Sequence, residues 1–214
     1  MEPGDVVKLH YVGRDAKTGE IFDLTDPDVA DAEDVETQEE LGPVKILLGD
    51  DQLIEGVEQA VMDMEEGDEQ TIEVPTEKAF GSRDSDNIKT ISEREFEQHD
   101  VTPRRGMPVE IDGQRGRVIM AMNGRVKVDF NHPMAGKDLE YDISVLETIE
   151  DTEGQARAVL DKHFEDQYDL SVDEQDITIT FDADVPEDMG EAIEDQLTKL
   201  NAVENVTIEF EADE

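Results

Sequence analysis

One stretch limits the folds open to this chain more than any other: LGDDQLIEGVEQAVMDMEEGDE, residues 48–69. Leu53, Val57, Ala60, Val61 and Met64 recur at the three- and four-residue spacing that lines one face of a helix with apolar side chains. A helix this short does not hold by itself, so its apolar face predicts a sheet to cover. Asp50 and Asp51 read as an acidic pair at the positive end of the helix dipole, and Gly67 as a left-handed closing residue. Strand-like runs lie on both sides, and the pattern predicts that they curve around this helix.

Those runs are Val7, Leu9 and Tyr11 in DVVKLHYV, then Ile21 to Asp23, Pro43 to Leu48, Thr71 to Val74, and a last long strand with Tyr141, Ile143, Val145, Glu147 and Ile149 on one face. EKAFG, residues 77–81, reads as a bend. Asp26 to Glu40 holds eight acidic residues in fifteen with no apolar period and reads as a solvated loop. Its DPDVAD lacks the alternating carboxylates and sixth-position glycine of a calcium loop.

Charge then divides the chain. The formal net charge is -41, yet residues 82–129 carry nine basic and nine acidic residues, so the other 166 residues carry all of it. A step that large marks an inserted module. Within it Ser92 and Glu95 have capping-box spacing, and MPVEI, RVIMAM and RVKVDF are strand-like runs joined by the turn pairs Asp112-Gly113 and Asn123-Gly124. After Glu150 the order is helix (Ala156, Val159, Leu160, Phe164), strand (Ile177, Ile179, Phe181), helix opened by Pro186, and strand (Val203 to Phe210), a two-layer α/β module.

An acidic excess with recurring apolar alternation fits a chain that folds in concentrated salt, where the Debye length falls to about 3 Å at 1 M. The expectation is a salt-adapted cytoplasm such as that of a haloarchaeon. With no cysteine, disulfides and thiol chemistry are excluded. No apolar run approaches 18 residues and no basic-then-apolar leader is present, so no membrane is expected, and the localisation expected is cytoplasmic. Nucleic acid is not expected as a partner, since phosphate binding needs clustered Lys and Arg. His10, His99, His132 and His163 lack the close spacing of a metal site, and the FEADE tail is not histidine-rich, so neither metal nor cofactor is expected.

The ordered set VKLHYVG, GEIFD, LLGDDQLIEGVEQAVMDMEEGD, EVPTEKAFG and NHPMAGKDLEYDISV resembles FKBP-type peptidyl-prolyl isomerases, in the SlyD-like branch with a domain inserted in the flap. The resemblance covers about residues 1–150, and residues 151–214 look like the C-terminal extension of archaeal long forms. It implies an α+β fold: an antiparallel half-barrel around one short helix (1–82 and 130–150), a small β-rich flap insert (83–129) with chaperone activity, and a C-terminal two-layer α/β domain (151–214). It also implies a proline pocket lined by Tyr11, Phe22, Asp23, Val44, Leu53, Ile54, Val57, Phe80 and Tyr141, with His132 and Met134 near its rim. The Ile54 N–H would receive the substrate carbonyl. Val44, Val57 and Phe80 depart toward smaller or less aromatic residues, and Phe80 lacks a tyrosine's hydroxyl, which puts transition-state hydrogen bonding and macrolide affinity in question.

On pattern alone Tyr11, Ile54, Val57 and Tyr141 read as core, and the family match is what makes them a site. Asp23 fits either a turn or an acceptor for the Tyr11 hydroxyl. Met107, Met120 and Met122 suit either promiscuous apolar binding or core packing. Unfolded or proline-containing polypeptides are the expected clients, and the C-terminal strands leave an edge for homodimerisation. The rival readings are an FKBP-fold chaperone with negligible catalysis, and an acidic mimic of nucleic acid; charge spread over two of three regions disfavours the second.

Overall fold

Three cross-strand neighbours explain how the two ends of the chain come together. In the computed structural model, Val6 pairs with Leu47 on one side and Ile149 on the other, and all three are at most 8% exposed. Their row enters the same apolar cluster as Ala156, Leu160, Ile177, Phe181 and Leu197. The structure describes residues 1–37, 40–98, 101–164, 167–181 and 185–210; His99 and tail residues 211–214 lie outside them.

The chain divides into two compact units, residues 1–75 with 138–214, and residues 76–137. In the first, β1 (Val6–Asp15) is the central strand of a five-stranded antiparallel sheet. One edge of β1 is shared by β3 (Val44–Leu47) at its start and β2 (Ile21–Leu24) at its end, and the other edge pairs along its full length with β9 (Leu139–Ile149). β4 (Glu69–Val74) follows beyond β9. Val6 and Val7 are both fully buried, so β1 is covered on two faces at its start, where sequence alternation predicts one.

Helix α2 (Glu55–Met62) packs on β4 and β9. It buries Val57 and Val61, and Met64 just beyond it, each contributing about 1.5–3 kcal/mol. Its N-cap is Ile54, with no side-chain cap, so the Asp50-Asp51 pair does not sit at the dipole as expected. Gly67 does take φ +88°, in the turn before β4. A further departure is α1 (Pro27–Ala32), inside the stretch that reads as loop: Asp26 accepts from the Asp28 N–H, Pro27 sits at the first helical position, and Ala30 is buried.

The C-terminal module of this unit comprises α4 (Thr152–Phe164), β10 (Tyr168–Asp173), β11 (Asp176–Phe181), α5 (Glu187–Thr198) and β12 (Asn205–Phe210). β11 and β12 are parallel, with α5 as the crossover. β10 is absent from the sequence reading, since Asp169, Ser171 and Asp173 give its outer face no hydrophobic signature.

The second unit holds a four-stranded antiparallel sheet ordered β5 (Ile88–Ser92), β8 (Arg125–Asp129), β7 (Gln114–Met122), β6 (Pro108–Ile111). Asp112-Gly113 and Asn123-Gly124 have φ of 51° and 75°, and 54° and 72°, the paired positive values of tight hairpin turns. Ser92 caps α3 (Glu93–Glu97) by accepting from the Arg94 N–H, and Phe96 drops onto Val118, Val126 and Val128. β5 joins the three expected strands as a fourth.

Candidate active site

Register along β1 assembles one aromatic group. Gly13 lies between Asp23 of β2 and Tyr141 of β9, so residues 11–13 bring the two neighbouring strands' side chains together. The Tyr141 ring lies 6.0 Å from Tyr11 at 55°, and 6.0 Å from Phe22 edge to face, a favourable aromatic geometry. A Cβ built on Gly13 would come within 2.9 Å of Phe22 Cζ and 3.0 Å of Tyr141 Cε1 and Cζ, so the rings close over the space that glycine leaves. Tyr11 donates its hydroxyl to Asp23 Oδ2 at 3.1 Å, and the Thr25 hydroxyl accepts from the Tyr11 main chain at 2.9 Å. Of the two readings of Asp23, the acceptor for Tyr11 is the one observed.

Tyr141 is 5% exposed. Burial, then the nearby Asp23 charge and Tyr11, push its phenol well above the usual tyrosine range. It therefore stays a neutral hydroxyl in an apolar wall.

The remaining first-unit residues lie along a second path. Val44 opens β3, Leu53 and Ile54 lead into α2, and Val57 is buried on that helix. Among the described residues the Ile54 N–H has no acceptor, and its carbonyl already starts the helix by accepting from Val57 and Glu58. An uncapped helix start presents its N–H groups to whatever carbonyl arrives.

Phe80, His132 and Met134 belong to the second unit. There the Phe80 and His132 rings stack at 3.8 Å and 10°. His132 Nδ1 accepts from the Met134 N–H at 3.2 Å, which puts the proton of the neutral ring on Nε2, and Lys137 Nζ reaches Met134 Sδ at 3.6 Å. Loss of hydration lowers the His132 pKa below the ordinary value.

Met107 packs against the second unit's core, whereas Met120 and Met122 are 37% and 59% exposed, which separates the three methionines into one filler and two surface thioethers. Met107 also lines a cavity of about 670 Å³ together with Ile91, Phe96, Val101, Val109 and Ile111. Sequence reasoning found the aromatic residues but gave no role to Gly13, although it closes the VKLHYVG motif, or to Thr25, for which no local signal exists.

The sequence is similar to several known proteins. The sequence profile of the FKBP26 IF domain matches residues 89–134. The chain is 35% identical over 146 residues to the short-type peptidyl-prolyl cis-trans isomerase of Methanocaldococcus jannaschii, covering 68% of this chain and 92% of that protein. It is 37% identical over 110 residues to the FKBP-type 16 kDa peptidyl-prolyl cis-trans isomerase of Escherichia coli K12, covering 49% and 73%. A third relative, the FKBP-type isomerase SlyD of Treponema pallidum, is 27% identical over 165 residues, covering 72% and 82%. The chain belongs to the FKBP-type peptidyl-prolyl cis-trans isomerase family, with an IF domain set into it.

Proposed function

We propose that the chain isomerises Xaa-Pro bonds in polypeptide clients, using Tyr11, Phe22, Asp23, Val44, Leu53, Ile54, Val57 and Tyr141 as its pocket, with Phe80, His132 and Met134 contributing to turnover. The observation that carries this reading is the ring group around Gly13 in a unit whose Ile54 N–H is without an acceptor. Amide rotation faces a barrier of roughly 18–20 kcal/mol from resonance, and no bond is broken. The twisted amide is less dipolar than the planar one, so an apolar wall costs it less solvation, while the Ile54 N–H anchors a carbonyl. The test is proline cis/trans exchange in a short peptide, followed by NMR in concentrated potassium chloride. The intact protein accelerates exchange and a folded Tyr141→Ala variant does not; equal exchange with both would overturn the pocket assignment.

The second-unit cavity and exposed Met120 and Met122 favour chaperone activity in residues 83–129, on a segment free of the net charge that would repel acidic clients. Deleting residues 83–128 then slows proline-limited refolding of a protein while short-peptide turnover persists. Negligible short-peptide turnover in the intact protein would favour the alternative, a chaperone with this fold. Homodimerisation is assigned to the edges of β10 and β12 that pair with no further strand among the described residues, tested by sedimentation of the full chain. Among the described residues no helix is long and apolar enough to cross a membrane. The proposed setting is a salt-rich cytoplasm.

A further inference from the structure

The loop between β3 and α2 carries an unusual number of bonds to a part of the chain about 150 residues away. The Asp50 side chain is 7% exposed. Its Oδ1 accepts from Lys199 Nζ at 2.9 Å, and its Oδ2 accepts from Gln196 Nε2 at 2.8 Å and Gln52 Nε2 at 2.9 Å. Gln52 Oε1 in turn accepts from the Leu47 N–H at 3.4 Å and from Lys162 Nζ of α4. Lys199 is itself steadied by Asp195 Oδ2 at 2.8 Å.

Burial works against the Asp50 charge, but the bonds from Gln52, Lys199 and Gln196 outweigh it and hold the carboxyl below its ordinary range. The anion is therefore the form that this pocket is built to bind. One further tie reaches the start of the loop, where the Gly4 N–H donates to the Leu48 carbonyl at 2.8 Å, and Asn201 Nδ2 holds the segment around Gly4 by donating to the Pro3 carbonyl and to Asp5 Oδ1, each at 3.1 Å. The Gly49 N–H donates to Glu58 Oε1 at 2.8 Å, tying the loop to α2 itself. Only Asp51, Gln52 and Leu53 separate Asp50 from Ile54.

We infer that the C-terminal module is a positioning element of the isomerase: Asp50, gripped by Gln196 of α5 and by Lys199 at its C-cap, sets the loop that presents the Ile54 N–H to the substrate carbonyl. This rests on the assignment of Ile54 as the anchor. The module contributes no group to the reacting amide. It removes freedom from the loop that holds one of the few hydrogen-bond donors the reaction uses, and misplacement by about 1 Å can cost on the order of a hundredfold in rate.

The experiment uses the full chain with Gln196→Leu/Lys199→Met, the milder Lys199→Met alone, and Lys199→Arg as the conservative variant. Short Xaa-Pro peptide turnover is measured together with the Ile54 amide resonance and its hydrogen exchange. In the double variant kcat/KM falls about five- to a hundredfold, mostly through KM, because a carbonyl anchor acts before the bond turns. The peptide-induced shift of the Ile54 amide shrinks and its exchange quickens. Lys199→Arg keeps most of both, and Lys199→Met falls between if the double variant fails to fold. A folded Lys199→Met or double variant with wild-type KM and an unchanged Ile54 response, even with a lower Tm, overturns the inference alone. If peptide leaves the Ile54 amide of the wild-type protein unmoved while turnover proceeds, the anchor assignment falls and this inference falls with it.

Discussion

Gly13→Ala is the sharpest probe of the ring group. Gly13 is buried on β1 and is not among the positive-φ residues, so alanine suits its backbone and only the added methyl matters. That carbon would stand 2.9 Å from Phe22 Cζ and 3.0 Å from the Tyr141 ring edge. Carbon pairs rest at about 3.5–4.0 Å, so each ring must retreat by about 0.5–1 Å. Overpacking costs about 1–3 kcal/mol, and replacing a flexible glycine returns about 0.4–1 kcal/mol. The net loss of stability is therefore about 0–2.5 kcal/mol, small enough for the variant to stay folded. In the proposed pocket, displaced rings no longer fit a proline ring, and turnover of a short peptide falls roughly ten- to a hundredfold. Denaturant unfolding supplies the stability, and exchange NMR supplies the rate. A folded variant with wild-type kcat/KM would refute the reasoning, because the rings would then have no required position.

Phe181→Ala removes a ring 4.6 Å from Phe164 and costs about 3–5 kcal/mol, measured by urea unfolding. Since Val6 and Leu47 share its cluster, the first unit loses stability as one cooperative transition; separate transitions for residues 1–75 and 151–210 would count against the shared core. His132, with its folded pKa lowered, titrates below the ordinary 6.5 by NMR. Its unfolded form binds a proton first, so the stability contributed by the neutral, partly desolvated ring is fully present above pH 6.5 and is lost as pH falls through the folded value; an upward shift would mean that a cation–π attraction to Phe80 wins. Tyr11→Phe deletes the bond to Asp23 and costs about 0.5–1.5 kcal/mol, with a several-fold loss of turnover. Raising potassium chloride from dilute to molar concentration raises Tm, because screening relieves the repulsion of a -41 chain; an unchanged Tm would remove salt adaptation as the reason for that charge.

Much of this architecture is legible in local signals. Asp112-Gly113 and Asn123-Gly124 announce their hairpins because the required backbone angles admit few other residues, and Val57 and Val61 announce the buried face of α2. The aromatic residues of the proposed pocket stand out through their motifs, and register then brings Tyr11, Phe22 and Tyr141 together. What fails is long range. Asp50 looks like a partner for a helix dipole four residues ahead, and two of its three partners are residues 196 and 199. Local propensity gives no warning of that, since a carboxylate is read identically whichever cation it meets. β5 and β10 are missed for a related reason: Lys89, Thr90, Asp169 and Ser171 suit a strand only where one face is open to water.

The pairing of β1 with β9 has a consequence for how the molecule is made. Val6–Asp15 and Leu139–Ile149 are neighbours in the sheet but about 130 residues apart along the nascent chain. At about 5–20 residues per second a ribosome leaves the first strand unpartnered along that edge for roughly 7–26 s. All four strands of the second unit, by contrast, lie between Ile88 and Asp129 and pair within that span. Local contacts form early and distant ones late. The IF domain therefore closes during synthesis while the central strand of the isomerase still waits, an order that an arrest-peptide force measurement on stalled nascent chains reads directly. The chain thus spends its own first seconds with its central strand unpaired along one edge.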